Sequence, residues 1–190
     1  MGSDETLGTL DGNREAMGGV LLGDAFAGHL GATVTAWGGG WARATLTVAP
    51  HHTNLAGIVH GGVTFSLGDV VFGVASNSWG RLAVALAVDV QFLAAAEPGD
   101  VLVAAASERH RTRRTGAYLI EVRALTAGTA EVLTGPPSDP DRSSPATGPQ
   151  MQPDEAEQGR LVGSLHAMVH RTDRWHLGEQ AWSTAWRAAH

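Results

Sequence analysis

Residues 60–77 read HGGVTFSLGDVVFGVASN, and they decide the fold because they predict one long helix, from Gly61 to Asn77, that has no polar face. A helix that is apolar nearly all round is buried inside its domain. Asp69 is the exception within this run. A carboxylate in apolar surroundings costs free energy unless it is paired or has a function. The stretch therefore predicts a buried central helix that carries one anomalous acid.

Asp69 has two interpretations from these residues alone. In the structural one, a backbone group or an arginine satisfies the carboxylate. In the catalytic one, Asp69 works with the start of the helix, where Gly61 and Gly62 follow His60. The first N–H groups of a helix lack internal acceptors and lie at the positive end of its dipole, so they can polarise a substrate carbonyl. A tight turn is the alternative explanation of the two glycines.

The spacing of Gly61 and Asp69 limits how the two can act together. They are eight residues apart, which is about 12 Å along a helix at about 1.5 Å per residue. One bound carbonyl therefore cannot contact both groups of the same helix. In a domain with one such helix, the two groups must come from two subunits, so the catalytic interpretation predicts an obligate dimer with two sites across its interface.

Strand-like segments flank the helix on both sides. Upstream, helical spacing over Ala16–His29 precedes two short strands, 32–36 and 41–48, which the glycines at 38–40 join as a hairpin. Downstream, we expect three consecutive strands to form an antiparallel meander, over 82–93, 100–113 and 116–126. One buried helix inside a run of strands is an α+β pattern.

The domain organisation follows from composition along the chain. We expect a flexible arm over 1–15, a single domain over 16–171 with a proline-rich insertion at about 134–158, and a tail over 172–190. The insertion cannot bury enough apolar surface to offset its ordering entropy, and a last strand over 160–170 follows it. The tail carries three tryptophans, which we expect to dock on the domain because exposed apolar patches are costly. Trp182 and Trp186, four residues apart, are expected on one side of a short helix.

Bulk composition excludes several classes of function. The 190 residues carry a net charge of -6 and contain no lysine, which argues against nucleic-acid binding. The chain has no cysteine, no apolar run of about 18 residues and no signal-like start, so we expect a cytoplasmic protein without a membrane partner. We also expect no metal site, because His166 and His170 on a strand would lie about 13 Å apart.

The combined motif around the helix resembles one known family. Its pattern is Asn54-x-x-Gly57-x-x-His60-Gly61-Gly62-x-x-Phe65-x-Leu67-x-Asp69-x-x-Phe72, continued by Ala75-x-Asn77-x-x-Gly80, Pro98-Gly99-Asp100 and Thr115-Gly116-x-Tyr118. This run resembles the hotdog-fold acyl-CoA thioesterases of the phenylacetic acid degradation (PaaI) type. The resemblance covers roughly residues 16–125. Gly68 departs from it, since alanine is common there, and so does the insertion before the last strand.

The resemblance implies a hotdog fold, in which a curved antiparallel sheet wraps around one long central helix. It also implies homodimers that pair into homotetramers, and hydrolysis of aryl- or phenylacetyl-type CoA thioesters with no cofactor beyond the CoA of the substrate. Asp69 matches the family's carboxylate, Gly61 its carbonyl-polarising amide and Asn54 its polar loop residue. Asp69 would activate water as a general base or attack the thioester directly, and both routes stay open. His60 would order the loop more than transfer a proton.

Two further sets of residues are expected to bind the substrate. We expect the acyl group to contact Gly62, Phe65, Phe72, Gly73, Ser76 and Asn77. The CoA phosphates need cations, and Arg109, Arg111 and Arg113 would share one face of a strand. Arginine suits phosphate because it can make paired hydrogen bonds to it. The alternative is that these arginines form a solvated strand face without a ligand. The predicted CoA-binding set is Arg111, Arg113, Arg114 and Thr115.

Three other functions compete with thioester hydrolysis. An enoyl-CoA hydratase of this fold would have a histidine about five residues after the aspartate, where this chain has Val74. A non-enzymatic acyl-CoA binding module would need no carboxylate facing the thioester. A purely structural oligomer would leave Asp69 without a purpose.

Overall fold

The computed structural model describes residues 7–126 and 159–190, which form a six-stranded antiparallel sheet with a long helix against one face. The strand order is β1-β2-β4-β5-β6-β3. In chain order the elements are α1 (Arg14–Leu21), α2 (Ala25–Leu30), β1 (Thr33–Gly38), β2 (Trp41–Thr47), α3 (Gly61–Asn77), β3 (Arg81–Phe92), β4 (Val101–Arg111), β5 (Thr115–Leu125), β6 (Arg160–Trp175) and α4 (Thr184–Ala189), with 3-10 turns at Pro50–His52 and Glu179–Ala181.

Helix α3 is the centre of the core and has the predicted bounds. His60 is its N-cap, and the imidazole Nδ1 accepts the Gly62 N–H at 2.8 Å. The apolar side of α3 packs on β2, β4, β5, β6 and β3. Leu67 and Val71 are fully buried there. The sheet therefore wraps the helix as the α+β hotdog arrangement requires.

One side of α3 stays open in the protomer, which corrects the prediction of a helix buried all round. Gly62, Asp69 and Gly73 are exposed, and Phe65 and Asn77 are half-buried. These residues recur at helical spacing, so they form one stripe along the helix, here called the open stripe. The sheet can cover only the opposite side of the helix, and Asp69 lies in the middle of the uncovered side.

The upstream helix predicted over Ala16–His29 is two helices. α1 ends at Leu21, and α2 begins at Ala25 after a break at Gly23 and Asp24. The Asp24 carboxylate accepts the backbone N–H groups of Phe26 and Ala27, which caps the start of α2. An aspartate that caps a new helix interrupts the preceding one because its own backbone is extended.

The predicted meander is wrong at β3. β4 and β5 pair as expected, but among the described strands β3 pairs only with β6, at the far edge of the sheet. β6 runs between β5 and β3 and pairs with both. Four apolar residues of β6 are buried at 3% exposure or less, which a central strand position provides: Val162, Leu165, Ala167 and Val169. The meander prediction fails because β3 and β4 are neighbours in the chain but not in the sheet.

The tryptophan tail docks against the domain, with a different geometry from the one expected. β6 extends through Trp175, and Trp182 precedes α4 in an extended conformation, so Trp182 and Trp186 do not share a helix. Trp182 is 3% exposed, and its ring stacks on Trp186 at 5.9 Å between centroids. It occupies the space beside Gly80, whose φ of +87° favours glycine.

Part of the expected N-terminal arm is also packed. The Gly8 carbonyl accepts the Ser183 N–H, Asn13 donates to the Ala181 carbonyl, and Leu10 is buried. The predicted insertion at about 134–158 lies outside the described residues. Among the described helices, none is both long and apolar enough to cross a membrane.

Candidate active site

The start of α3 presents one available backbone donor. The Val63 N–H bonds to the His60 carbonyl at 2.9 Å, and the Gly62 N–H bonds to the His60 imidazole. Within the described residues, no acceptor is recorded for the Gly61 N–H. This free N–H lies at the positive end of a 17-residue helix, where a developing negative charge is stabilised.

Glycine suits position 61 because the ring of Phe92 lies close by. A Cβ built on Gly61 would be 3.1 Å from two atoms of that ring. The absence of a side chain leaves room for a substrate carbonyl to approach the amide. His60 holds this turn through its N-cap bond and through its own N–H, which bonds to the His52 carbonyl at 2.8 Å. In the protomer His60 is therefore a positioning residue.

Asn54 organises the loop that precedes α3. Its Oδ1 accepts the Ala56 N–H at 2.8 Å, and its backbone N–H bonds to the Ile58 carbonyl at 2.8 Å. The side-chain Nδ2 has no recorded acceptor in the part of the chain that the structure describes. This amide group is thus free to donate to a water molecule or to a substrate oxygen.

Asp69 has no recorded hydrogen bond or ion pair with any described residue. The structural interpretation, in which an arginine or a backbone group satisfies the carboxylate, therefore finds no support in the described protomer. Although Asp69 is exposed to solvent, the surrounding protein removes part of the hydration of its carboxylate and so raises its pKa, and the negative charge of Asp24 raises it further. A carboxylate that is easier to protonate is a better proton acceptor in catalysis.

Asp24 is a feature of the site that the sequence interpretation missed. It caps α2, and α2 contacts α3. Its carboxylate is close enough to Asp69 to act on that group's pKa. The capping pattern of Asp24 is readable in the sequence, but its approach to Asp69 depends on how α2 lies on α3.

The residues expected to contact the acyl group divide into open and buried positions of α3. Gly62, Phe65 and Gly73 lie on the open stripe with Asp69. Phe72 and Ser76 are buried, at 2% and 3% exposure. The Phe72 ring packs edge-on against Tyr118 at 5.5 Å, and the Ser76 hydroxyl donates to the Gly73 carbonyl. These two residues are therefore part of the core in the protomer.

Asn77 fastens the end of α3 to two other segments. Its Oδ1 accepts the Ala83 N–H at 2.9 Å and lies 2.9 Å from Nε2 of His176. Its Nδ2 donates to the carbonyls of Gly73 and Ala83. These bonds tie the helix to β3 and to the tail, so the side chain of Asn77 is largely committed to structure.

The predicted CoA-binding residues also differ in availability. Arg111 pairs with Glu108 at 3.1 Å and stacks over Trp79 at 4.2 Å, which commits it to an internal network. Arg113 and Arg114 are exposed at the β4–β5 turn. The Thr115 hydroxyl lies 2.8 Å from that of Thr112 within the same turn. Arg113 and Arg114 are thus the members of the set that can reach a ligand without rearrangement.

The described residues contain no candidate metal site. No group of three or more His, Cys, Asp or Glu side chains there has the proximity to hold an ion. Asp69, Gly61 and Asn54 offer one base and two hydrogen-bond donors. This set is sufficient for addition of water to a carbonyl without a metal.

Comparison with known proteins finds that this chain is similar to thioesterases and esterases. The family model described as thioesterase superfamily matches residues 56–131. Acyl-coenzyme A thioesterase PaaI of Escherichia coli K12 is 41% identical over 99 residues, which are 52% of this chain and 71% of that protein. A putative esterase of Archaeoglobus fulgidus is 43% identical over 84 residues, which are 44% of this chain. The match spans about half, 54%, of that archaeal protein.

Solved structures show the same similarity over more of the chain. The E. coli PaaI protein from the phenylacetic acid degradation operon superposes with a TM-score of 0.64 at 29% identity, covering 88% of this chain and 96% of that one. A mutant of the phenylacetic acid degradation protein PaaI from Thermus thermophilus gives 0.59 at 27% identity, covering 78% and 100%. The identity to the E. coli thioesterase over most of its length, together with the six-stranded sheet around α3, shows that this chain belongs to the hotdog-fold acyl-CoA thioesterases of the PaaI type.

Proposed function

We propose that this protein hydrolyses acyl-CoA thioesters, with aryl- or (hydroxy)phenylacetyl-CoA as the substrate class. The observation that carries the proposal is the pair of unused groups on α3, the free Gly61 N–H at its start and the Asp69 carboxylate on its open stripe. The name of the E. coli relative, an acyl-coenzyme A thioesterase, supports the reaction. The phenylacetic acid degradation operon of that relative supports the acyl class.

The proposed reaction uses one group from each end of the site. Asp69 takes a proton from water, and the resulting hydroxide adds to the thioester carbonyl carbon. The Gly61 N–H stabilises the oxyanion that forms, and Asn54 holds the attacking water. The C–S bond then breaks, and the CoA thiolate leaves and takes up the proton that Asp69 accepted from water. In the second route Asp69 attacks the carbonyl carbon itself and expels the CoA thiolate, and water then hydrolyses the mixed anhydride to the same acid and restores the Asp69 carboxylate.

A homodimer would complete this site. Gly61 and Asp69 lie on the same helix, about 12 Å apart along its axis. β3 is an edge strand of the sheet and exposes Val84, Leu86 and Phe92. Long exposed edges with apolar side chains invite pairing with another chain. A second copy joined along β3 would bring the two open stripes together, with Gly61 of one copy facing Asp69 of the other. Pairing of two dimers into a homotetramer is part of the same proposal.

The chain has no histidine at the position where the enoyl-CoA hydratase alternative requires one as a base. Val74 occupies the position where such an enzyme would have a histidine, and it is buried at 5% exposure. No described histidine is recorded in contact with Asp69. The other alternative, a non-enzymatic acyl-CoA binding module, predicts binding without turnover. The following experiment distinguishes it from an enzyme.

The substitution Asp69→Asn tests the proposal. Loss of the base should lower kcat on phenylacetyl-CoA by about 10²-fold or more. The fold should be at least as stable as wild type near neutral pH, since the pKa of Asp69 is raised and its ionised form is therefore disfavoured in the folded state. Steady-state kinetics and thermal unfolding measure the two effects.

The matched control is Asp11→Asn, which removes an exposed carboxylate outside α3 and should leave kcat unchanged. Full activity of the Asp69→Asn variant would overturn the proposal. Absence of turnover by the wild type, with retained acyl-CoA binding, would favour the binding module. A panel of aryl and alkyl CoA thioesters identifies the preferred acyl group.

A further inference from the structure

A cavity of about 650 Å³ lies between the tail and the β4–β5 turn, near the end of α3 that is remote from Gly61. We call it the arginine cavity, because five of its lining residues are arginines: Arg81, Arg111, Arg113, Arg171 and Arg187. Two of its lining residues, Asp173 and Glu179, are acidic. In a chain whose net charge is -6, this is a strong local concentration of positive charge.

The nearby carboxylates do not neutralise this charge. Asp173 pairs with Arg81 at 2.5 Å and lies 4.0 Å from Arg113. Glu179 pairs with Arg187 at 3.0 Å. Glu108, outside the lining, pairs with Arg111 at 3.1 Å. Three acids therefore face five arginines.

Arg171 is the arginine of this group that pairs with no Asp or Glu side chain among the described residues. It is 3% exposed, and its guanidinium donates to the main-chain oxygens of Thr112 and His190. Burial together with the positive charges of Arg111 and Arg81 lowers the pKa of Arg171 to about 10. Buried like charges destabilise a site unless an opposite charge joins them.

Aromatic rings hold two of the guanidinium groups in place before any ligand arrives. Arg111 stacks over Trp79 at 4.2 Å, and Arg81 lies over Trp175 at 5.9 Å. In addition, the Nε of Arg187 is buried and has no partner within the described residues. A group of fixed donors with one donor unused is the arrangement of a built anion site, because little ordering cost is left for binding.

We propose that the arginine cavity binds a phosphate group, in the form of a phosphomonoester dianion. The geometry favours phosphate over a carboxylate ligand because planar guanidinium forks match its several acceptor oxygens and its double charge. The cavity is larger than a phosphate ion, so it has space for the group that carries the phosphate. The phosphate has two sources, the 3′-phosphate of CoA or a separate phosphorylated ligand. Only the first source rests on the proposed function.

Calorimetric titration tests this site with three probes at constant ionic strength: inorganic phosphate, CoA and dephospho-CoA. The test variant is Arg113→Gln combined with Arg187→Gln, both at solvent-accessible positions of the lining. Loss of the two charged donors should weaken phosphate binding at least about tenfold. The matched control is Arg174→Gln, which removes an exposed arginine close in sequence to the lining but outside it. Circular dichroism verifies that each variant is folded.

The three probes distinguish the two sources of the phosphate group. If CoA binds more tightly than dephospho-CoA and the double variant removes this difference, the cavity holds the phosphate of the substrate. If the two bind alike while inorganic phosphate binding depends on Arg113 and Arg187, the ligand is separate from the substrate. Equal phosphate affinity of wild type and double variant, or no phosphate binding by the wild type, overturns the inference. The titration measures binding and not turnover. Its outcome is therefore independent of the kinetic result for the Asp69→Asn variant.

Discussion

At the residue scale, the surroundings of Asp69 change the chemistry of an ordinary carboxyl group. Packing around α3 removes part of its hydration, which raises its pKa, and the Asp24 carboxylate at the start of α2 adds repulsion in the same direction. Both effects favour the protonated form and make the ionised form a stronger base. In the proposed mechanism the ionised form activates water, so the rate should depend on the titration of this group.

The acid side of the pH profile should report this titration. We expect kcat/KM to fall as the pH drops through the pKa of Asp69, which is raised from the ordinary value for aspartate. Asp24→Ser keeps an N-cap side chain for α2 but removes its charge. Since a negative neighbour no longer opposes ionisation, the acid limb should move to lower pH. The Asp11→Ser variant should leave the limb in place. An unmoved or upward-shifted limb in Asp24→Ser would contradict this role of Asp24.

At the element scale, the close approach of α3 to the sheet depends on Gly68. This residue is buried, and a Cβ built on it would lie 2.9 Å from Cδ2 of Leu165 on β6. Leu165 is 1% exposed and has little space to move. The departure from the alanine that is common in the family therefore has a packing reason in this chain: the small residue lets the helix and β6 meet closely.

The substitution Gly68→Ala should consequently fail to stabilise the protein. Alanine gains about 1 kcal/mol of helix propensity over glycine, but overpacking a core costs about 1–3 kcal/mol. The free energy of unfolding should fall by up to about 2 kcal/mol. Gly19→Ala in α1, where a Cβ meets nothing within 4 Å, should raise it by about 0.5–1 kcal/mol. Urea unfolding measures both, and stabilisation of equal size in the two variants would contradict the packing argument.

At the scale of the whole molecule, the proposed mechanism requires two copies of the chain. In this proposal each protomer supplies a base from the middle of α3 and an N–H from its start, at separate positions of the same helix. No described element of the protomer covers the edge of β3 or the open stripe of α3. Helix geometry and the exposed surfaces thus support the same arrangement, a dimer with two identical sites that each use residues of both chains.

Mixing two inactive variants tests this arrangement directly. Gly61→Pro removes the N–H at a helix position that tolerates proline, and should lower kcat by about 10²- to 10³-fold. Its matched control, Gly61→Ala, adds the same Cβ beside Phe92 but keeps the N–H. After denaturation and refolding together, Gly61→Pro and Asp69→Asn chains should recover about a quarter of wild-type activity, because half of the dimers carry one intact site.

The control for this mixing experiment is each variant refolded by itself, which should stay inactive. Recovery of activity requires the intact Gly61 of one chain and the intact Asp69 of the other to meet at one site. If the mixed sample stays inactive although mass measurements show mixed dimers, the two groups do not act across the interface.

Much of the fold and part of the site could be predicted from local sequence. The bounds of α3 follow from an apolar run with a histidine and two glycines at its start, and the glycines at 38–40 fix the first hairpin. Gly61 and Asp69 stand out because their residue types conflict with their surroundings. The sequence pattern also predicts ligand contacts for Phe72 and Ser76, which are buried in the protomer. Their burial depends on how α3 packs against the rest of the domain.

Local sequence patterns specify the central helix, the strand segments and the chemical groups on the helix, because these depend on residues close together in the chain. Packing of the elements determines which face of α3 stays open, that β6 separates β3 from β5, and that Asp24 approaches Asp69. It also brings arginines from three strands, the β4–β5 turn and the tail around one cavity. These features depend on packing between segments that are distant in the chain. A local pattern of residues does not predict which of their surfaces will meet.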